Sequence, residues 1–192
     1  MTSIDFADAP ILEADDCRLR PWCEADLEPY IAMGKDSRVM EYFPSLMNEA
    51  QTLAHVEDLQ QRFQKWGYGY WVLETDDLAF GGFVGLSQPQ IEAHFTPCVE
   101  AGWRLTPAAW GKGYASRGAI AALRYGFEEK GIDEIVAMIS VANKASCRVA
   151  ERIGMTAMGE DDFDYPDDDP NWLYRACKLY RINREKFLCS NV

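Results

Sequence analysis

Two glycines, Gly111 and Gly113, stand where the sequence changes from a strand-like to a helix-like pattern. Residues 99–105 form an apolar run typical of a strand, and the residues after Gly113 carry small side chains at helical spacing. Glycine lets another molecule approach the main chain closely. A helix N-terminus adds unpaired N–H donors and the positive end of the helix dipole. Residues 111–116 therefore predict a receptor for phosphate oxygens.

Two common phosphate-binding loops do not fit this stretch. Walker A requires Ser or Thr after its lysine, but Lys112 is followed by Gly113. The dinucleotide fingerprint G-x-G-x-x-G requires a third glycine where the chain has Ser116. On the loop pattern alone, a strand-to-helix turn with glycine for geometry only stays an alternative.

The sequence W-G-K-G-Y-A at residues 110–115 resembles the acyl-CoA loop of the GCN5-related N-acetyltransferases, written [Q/R]-x-x-G-x-[G/A]. Gly113 and Ala115 match its last two defined positions, whereas Trp110 departs from the Gln/Arg position. With that tryptophan the loop resembles the version in the ribosomal-protein N-acetyltransferases. Other blocks that resemble the family occur in family order at residues 17–21, 99–105, 143–146 and 153–155.

The resemblance implies a mixed α/β fold, with a mostly antiparallel twisted sheet and helices on both faces. It implies that the strand ending at Leu105 splays from the strand at residues 135–141, so that acetyl-CoA lies between them. The loop would hold the coenzyme diphosphate through backbone N–H groups, and the implied cofactor-binding loop residues are Gly111, Lys112, Gly113, Tyr114, Ala115 and Ser116.

The resemblance also implies roles for four residues nearer the reacting atoms. A main-chain N–H near Leu105 would face the thioester oxygen, Asn143 would contact the pantetheine arm, and Ser146 would donate to the departing thiolate. Glu100 would act as the base, directly or through water, with Asp162 or Asp164 in reserve.

Each of these roles has a structural alternative. Leu105 packs its side chain in either case, and Asn143 with Ser146 matches an ordinary helix N-cap. Glu100 would then be a strand-end carboxylate that faces solvent or pairs with an arginine.

The chain of 192 residues is long enough for one sizeable core, so we predict a single domain over residues 1–192 with a loose arm at 1–16. The net charge of −12 disfavours nucleic acid and anionic membrane as partners. Six cysteines without a C-x-x-C pair, and no segment resembling a signal peptide, predict free thiols in the cytoplasm. With only two histidines, we predict no metal site, and we interpret His55 as a surface or packing residue.

Hydrophobic periodicity predicts the remaining elements. Helices are predicted at residues 24–33, 48–66 and 143–153, and strands at 17–22, 68–74, 80–86, 99–105, 135–141, 156–158 and 173–182. After the glycine loop a further helix is predicted from a face of small and apolar residues, namely Ala119, Ala122, Leu123, Gly126 and Phe127. Asn48 and Gln51 predict a capping box, and Gly67 and Gly154 predict helix ends. The acidic run at residues 160–169 is interpreted as a solvated loop, with an amine-attracting rim as the alternative.

The family resemblance implies transfer of an acetyl group from acetyl-CoA to a primary amine, and since no cysteine lies in a recognisable nucleophile setting we predict that the transfer is direct. The acceptor would be an amine-bearing small molecule or a protein N-terminus, and the protein a monomer or homodimer. An acyl-CoA-binding regulatory domain without turnover is the main alternative, and a nucleotide-phosphate binder is another.

Overall fold

In a computed structural model, the described residues are residue 6 and residues 9–166 and 172–189. Their strands form one sheet in the order β1-β2-β3-β4-β5-β6-β9-β7, and β8 also pairs with β9. The strands are β1 Leu12–Ala14, β2 Cys17–Arg20, β3 Tyr70–Glu74, β4 Gly82–Ser87, β5 Glu100–Leu105, β6 Glu134–Ser140, β7 Thr156–Ala157, β8 Phe163–Asp164 and β9 Ala176–Asn183. The helices are α1 Leu27–Lys35, α2 Glu49–Trp66, α3 Tyr114–Arg124, α4 Lys144–Arg152 and α5 Arg184–Cys189.

The sheet is antiparallel except at the junction of β5 with β6. These two strands run parallel and share one register pair, Glu100 with Val136. On its other side, β6 pairs with β9 along its whole length. The strands β5 and β6 therefore diverge toward Leu105, as the resemblance implied, and leave a gap at the centre of the sheet.

Helices cover both faces of the sheet. On one face, Gly118 of α3 lies so close to Leu19 and Val84 that an added Cβ would come within 3.2 and 3.3 Å of their side chains. On the other face, Tyr30 of α1 packs edge-on against Phe83, with ring centroids 5.8 Å apart. Val84 and Phe83 are neighbours on β4, so their side chains point to opposite faces. The predicted mixed α/β fold is confirmed.

Local capping signals place the ends of α2 as predicted. The Asn48 side chain accepts from the Gln51 backbone N–H at 2.9 Å, and the Gln51 side chain accepts from the Asn48 N–H at 2.9 Å. Gly67 ends the helix in the left-handed conformation, with φ of 69°. These interactions satisfy backbone groups that the first and last turns leave unpaired.

The predicted loose arm at residues 1–16 is wrong for the described part of that range. Leu12–Ala14 is a strand paired with β2, and Phe6 packs edge-on against Phe63 with ring centroids 5.9 Å apart. Burying Phe6 and Ala14 removes apolar surface from water, which fixes this segment although its sequence is polar and acidic. Residues 1–5, 7 and 8 lie outside the described residues.

Three further boundaries differ from prediction. A 3-10 turn at Glu24–Asp26 precedes α1, because Asp26 accepts from the Cys23 N–H and pairs with Arg20 at 2.7 Å. The last long strand begins at Ala176, and Leu173, predicted to start it, is exposed. The short helix α5 was not predicted.

Candidate active site

A cleft of about 1440 Å³ passes through the gap between β5 and β6 and is lined from both faces of the sheet. All of the predicted site residues except Lys112 line it, namely Glu100, Leu105, Gly111, Gly113, Tyr114, Ala115, Ser116, Asn143 and Ser146. Residues that are far apart in the sequence therefore share one space. One end is formed by the loop before α3 and by α4, and the other by the segment that follows α1, by α2 and by the facing strands.

The glycine loop leaves its backbone N–H groups open. Gly111 and Gly113 have φ values of 74° and 82°, which favour glycine, and an added Cβ at Gly111 would meet nothing within 4 Å. No side chain caps the N-terminus of α3. The loop thus presents unpaired donors at the positive end of a helix, as expected for an anion site.

Trp110 joins this loop to the end of β5. Its indole N–H donates to the Leu105 carbonyl oxygen at 2.9 Å. Lys112 does not line the cleft, and its carbonyl accepts from Arg117 at 2.7 Å. The tryptophan that departs from the family pattern therefore holds the loop against the strand through a contact of its own.

Polar groups at this end of the cleft fit a phosphate-bearing ligand. The Ser116 hydroxyl is buried and has no hydrogen-bond partner among the described residues. Arg148 and Arg152 of α4 line the same cleft, and neither forms an ion pair within the described part of the chain. Backbone donors, an unpaired hydroxyl and two free cations suit the diphosphate of coenzyme A.

The backbone N–H of Leu105 points into the gap between the strands. The Thr106 N–H donates to the Gly81 carbonyl at 3.0 Å, so the preceding residue faces away from β4. The Leu105 carbonyl does so as well, since it accepts from Trp110. Beyond Glu100, β6 no longer pairs with β5, which leaves this N–H available to an oxygen in the cleft.

Ser146 lies across the gap, at the start of α4. Its backbone N–H donates to the Asn143 side chain at 3.0 Å, so Asn143 is the helix N-cap. The Ser146 hydroxyl accepts from the Trp103 indole N–H at 3.2 Å. A hydroxyl that accepts one hydrogen bond keeps its own proton for a second partner in the cleft.

Glu100 lies where the two strands part, and its carboxylate accepts from the Met138 backbone N–H. Burial raises the pKa of Glu100 to about 7, and the hydrogen bond opposes this effect. The side chain still lines the cleft, so it has access to a bound molecule. A carboxylate with such a pKa can take up a proton near neutral pH.

The other end of the cleft contains residues that the sequence analysis missed. His55 hydrogen-bonds to the Tyr30 hydroxyl at 2.6 Å and packs near Phe83, with ring centroids 6.3 Å apart. It therefore packs as predicted, but it also lines the cleft. Arg104 lies on the same face of β5 as Glu100 because side chains alternate along a strand. That alternation was the one signal that could have linked Arg104 to the site.

The reserve carboxylates do not reach the cleft. Asp164 pairs with Arg175 at 3.6 Å, and neither Asp162 nor Asp164 lines the cleft. Asp161 of the same run binds Arg181 at 2.8 Å. Residues 167–169 lie outside the described residues.

Within the described ranges, no group of three or more His, Cys, Asp or Glu residues could hold a metal ion. None of the described helices is long and apolar enough to cross a membrane.

Comparison with known proteins identifies the fold family. A model of the acetyltransferase (GNAT) domain matches residues 16–156, which is well over half of the chain. An uncharacterised protein YkkB of Bacillus subtilis is 36% identical over 142 residues, covering 72% of this chain and 81% of that protein. The FsC-acetyl coenzyme A-N(2)-transacetylase of Aspergillus fumigatus is 34% identical over 125 residues, covering 64% of this chain and 53% of that enzyme.

Solved structures agree with these matches. A GNAT-family acetyltransferase from Bacillus anthracis superposes with a TM-score of 0.74 at 26% identity, covering 92% of this chain and 99% of that one. Spermidine N-acetyltransferase from Vibrio cholerae, solved with CoA and spermine, gives 0.71 at 20% identity, covering 90% and 98%. The latter similarity concerns the fold alone. The chain belongs to the GNAT family of acetyltransferases and is an acetyltransferase enzyme that uses acetyl-CoA as its co-substrate.

Proposed function

We propose that this enzyme transfers the acetyl group directly from acetyl-CoA to a primary amine while both substrates are bound. The observation that carries the proposal is the position of Glu100 at the point where β5 and β6 part. From there its carboxylate can accept a proton from an amine in one half of the cleft. The thioester would enter from the other half, which the loop and α4 form.

The loop and α4 would bind the coenzyme, which supplies the acetyl thioester. N–H groups from Gly111 to Ala115 would hold the diphosphate, with Ser116 and Arg148 as further donors. A grip made of backbone donors does not depend on the side chain at Trp110. This explains how the chain can depart from the family pattern there.

Three groups would then act on the reacting atoms. The amine nitrogen bonds to the acetyl carbon, the carbon–sulfur bond breaks, and the amine loses a proton to Glu100. The Leu105 N–H would donate to the thioester oxygen as negative charge develops on it. The Ser146 hydroxyl accepts from Trp103 and would use its own proton to donate a hydrogen bond to the departing sulfur.

A carboxylate with a pKa of about 7 is a suitable base for an amine of which a substantial fraction is unprotonated at neutral pH. A peptide α-amino group has a reference pKa of about 8 and an alkylammonium about 10.4. At neutral pH a larger fraction of an α-amine than of an alkylamine is already unprotonated, so an α-amine depends less on proton removal by Glu100. The proposal includes both classes of amine.

The loop sequence at residues 110–115 supports a place near the ribosomal-protein N-acetyltransferases. One of these, a RimL enzyme acting on ribosomal L7/L12, superposes with a TM-score of 0.72 at 20% identity. At this identity neither its protein substrate nor the polyamine of the Vibrio enzyme transfers to this chain. The acceptor therefore stays a protein N-terminus or a small amine. The cytoplasmic location stays a prediction that rests on six unpaired cysteines.

Release of free CoA thiol tests the proposal. Purified protein with acetyl-CoA and a panel of primary amines should release thiol in proportion to the amine acetylated. Binding of acetyl-CoA without release would favour the regulatory alternative, which needs the loop but no base. Competition by ATP and not by CoA would favour the nucleotide-binding alternative.

A further inference from the structure

Arg104 places a cation in the half of the cleft that lies opposite the loop and α4. We call this the acceptor half, because the amine would bind there, and the half formed by the loop and α4 the coenzyme half. It lies four residues after Glu100 on β5, so both side chains leave the same face of the strand. Gly102 lies between them, where an added Cβ would come within 2.5 Å of the Tyr70 hydroxyl. Tyr70 therefore covers the cleft floor between the carboxylate and the guanidinium, and its ring lines the cleft there.

The Arg104 guanidinium lacks a carboxylate partner among the described residues. Its Nη1 donates to the sulfur of Met47 at 3.6 Å, and its buried Nε has no hydrogen-bond partner there. The guanidinium stacks over Phe43, 3.9 Å from the ring centroid, and lies 5.4 Å from that of Phe83. Aromatic faces attract the charge but accept none of the in-plane N–H bonds.

The titratable neighbours of Arg104 do not neutralise it. Burial raises the pKa of Tyr30 to about 12, and burial with the nearby Glu100 charge raises that of Tyr70, so both phenols stay neutral. Burial and the Arg104 charge lower the pKa of His55 to about 4, so this ring is neutral at pH 7. Burial likewise lowers the pKa of Arg104 itself, the signature of a cation without adequate compensation.

Other arginines that line the cleft from this side are paired. Arg62 bonds to Asp58 at 2.6 Å, and Arg38 bonds to Asp36 at 2.5 Å. Arg104 differs from both in its position on the cleft floor and in having no carboxylate within ion-pair distance among the described residues. An uncompensated buried cation is costly, so its retention there points to a partner that arrives with the substrate.

We propose that Arg104 binds a carboxylate of the acceptor, so that the substrate is an amino acid or acidic peptide whose amine meets Glu100. This rests on the proposed function, because it assigns the other end of the same acceptor. The planar guanidinium matches a carboxylate in a two-bond arrangement. A phosphate dianion fits less well, since one free cation faces it and Glu41, Asp58 and Glu100 line the same space.

The spacing along β5 limits the length of the acceptor. Four residues span about 13 Å between Cα atoms along a strand, and the side chains of Glu100 and Arg104 leave the same face. Amine and carboxylate should therefore be separated by several bonds. We expect 6-aminohexanoate and 4-aminobutyrate to be better acceptors than glycine.

The test compares each amino acid with its own carboxamide, which keeps the amine and removes the negative charge. For the wild type, kcat/KM measured by thiol release should be about 10- to 100-fold higher for 6-aminohexanoate than for 6-aminohexanamide. In Arg104→Gln the ratio should fall to about 1, mainly through KM for the acid. Arg104→Lys should keep part of the preference, because the charge remains. Arg18→Gln, a matched charge change at an exposed arginine that pairs with Glu74 outside the cleft, should keep the wild-type ratio.

The outcomes separate the two proposals. No thiol release with any amine would overturn the proposed function itself. Turnover without preference for the acids, or a preference that survives in Arg104→Gln, would overturn this inference and leave the function standing. O-phosphoethanolamine used better than every carboxylate would also overturn it. Unchanged acetyl-CoA affinity in Arg104→Gln would show that the variant is folded. If Arg104→Gln does not fold, the preference for the acids is measured in Arg104→Lys instead, where it should be reduced.

Discussion

The two halves of the cleft are built from different material. The coenzyme half is made of backbone from one short stretch, Gly111 to Ala115, together with the start of α4. The acceptor half is made of side chains from distant elements, including Phe43, His55 and Arg104. A binding site made of backbone groups can be predicted from a short stretch of sequence, and it tolerates changes of side chain. A binding site made of side chains can be located only when the fold is known, and it can lose its function when one residue is replaced.

Glu100→Gln should have the largest effect, because it removes the base from the acceptor half. Gln keeps an oxygen for the Met138 N–H but cannot take up a proton. We expect kcat/KM at pH 8 to fall about 10²- to 10⁴-fold in thiol release, with acetyl-CoA affinity by titration unchanged. Glu134→Gln, which alters an exposed carboxylate outside the cleft, should behave as wild type. Activity above a third of wild type in Glu100→Gln would rule out this base.

The pH dependence of the same variant sharpens the assignment. In the wild type kcat/KM should rise with pH up to about 7, because Glu100 must be ionised, and Glu100→Gln should lack this limb. Stability should change in the opposite sense. The folded pKa of Glu100 is raised above its unfolded value, so the folded state holds more protons than the unfolded state between about pH 4.3 and 7. As the pH rises through that window, the free energy of unfolding of the wild type should therefore fall relative to that of Glu100→Gln. Chemical unfolding of both proteins at pH 5 and pH 8 measures the difference. A wild type that is more stable relative to Glu100→Gln at pH 8 than at pH 5 would contradict the raised pKa.

Ser146→Ala tests the point where the halves meet. We expect kcat to fall about 10- to 100-fold while acetyl-CoA affinity stays nearly intact, because the hydroxyl would act on the departing sulfur. Trp103→Phe is the matched control: it removes the N–H that Ser146 accepts and leaves the hydroxyl in place. Its kcat should fall less than that of Ser146→Ala. An unchanged kcat in Ser146→Ala would exclude the thiolate role.

Gly113→Ala tests the coenzyme half. Gly113 has φ of 82°, where a Cβ costs about 1–2 kcal/mol, and relief of that strain would turn the loop donors away from the ligand. The expected result is an acetyl-CoA KM about 5- to 30-fold higher, with little change in kcat. Gly159→Ala is the control, since Gly159 has space for a Cβ and no positive φ. A Gly113→Ala enzyme with the wild-type KM would mean that the loop does not grip the coenzyme.

Trp110→Phe should have the smallest effect. It removes one hydrogen bond, from the indole to the Leu105 carbonyl, and keeps most of the aromatic surface. We expect the acetyl-CoA KM to rise about 2- to 10-fold, as for the loss of a single neutral hydrogen bond. Trp66→Phe, on α2 and outside the cleft, should leave KM unchanged. A loss larger than that of Gly113→Ala would mean that the tryptophan side chain itself binds the coenzyme.

The same contrast explains what could be predicted from the sequence. The capping box at Asn48, the N-cap at Asn143 and the glycine loop are local patterns, and the structure has each of them. Their interactions join residues a few positions apart, so the order of residues alone specifies them. The sheet and its divergence at β5 followed from the family resemblance.

The rest depends on contacts between distant residues. Phe6 is held by Phe63, which no local pattern shows, so the N-terminal segment was wrongly predicted as a loose arm. His55 was predicted to pack, and only the fold places it beside Tyr30 at the cleft. That Arg104 has no carboxylate partner can be recognised only when the positions of all neighbouring side chains in the acceptor half are known, because those neighbours come from several elements.

A crystal structure of the enzyme with CoA tests the central claim most directly. The account predicts the diphosphate against the N–H groups of Gly111 to Ala115, the sulfur within hydrogen-bond distance of the Ser146 hydroxyl, and the Glu100 carboxylate facing that sulfur across the gap between β5 and β6. A diphosphate bound away from the loop, or a sulfur separated from Glu100 by the body of the sheet, would contradict it.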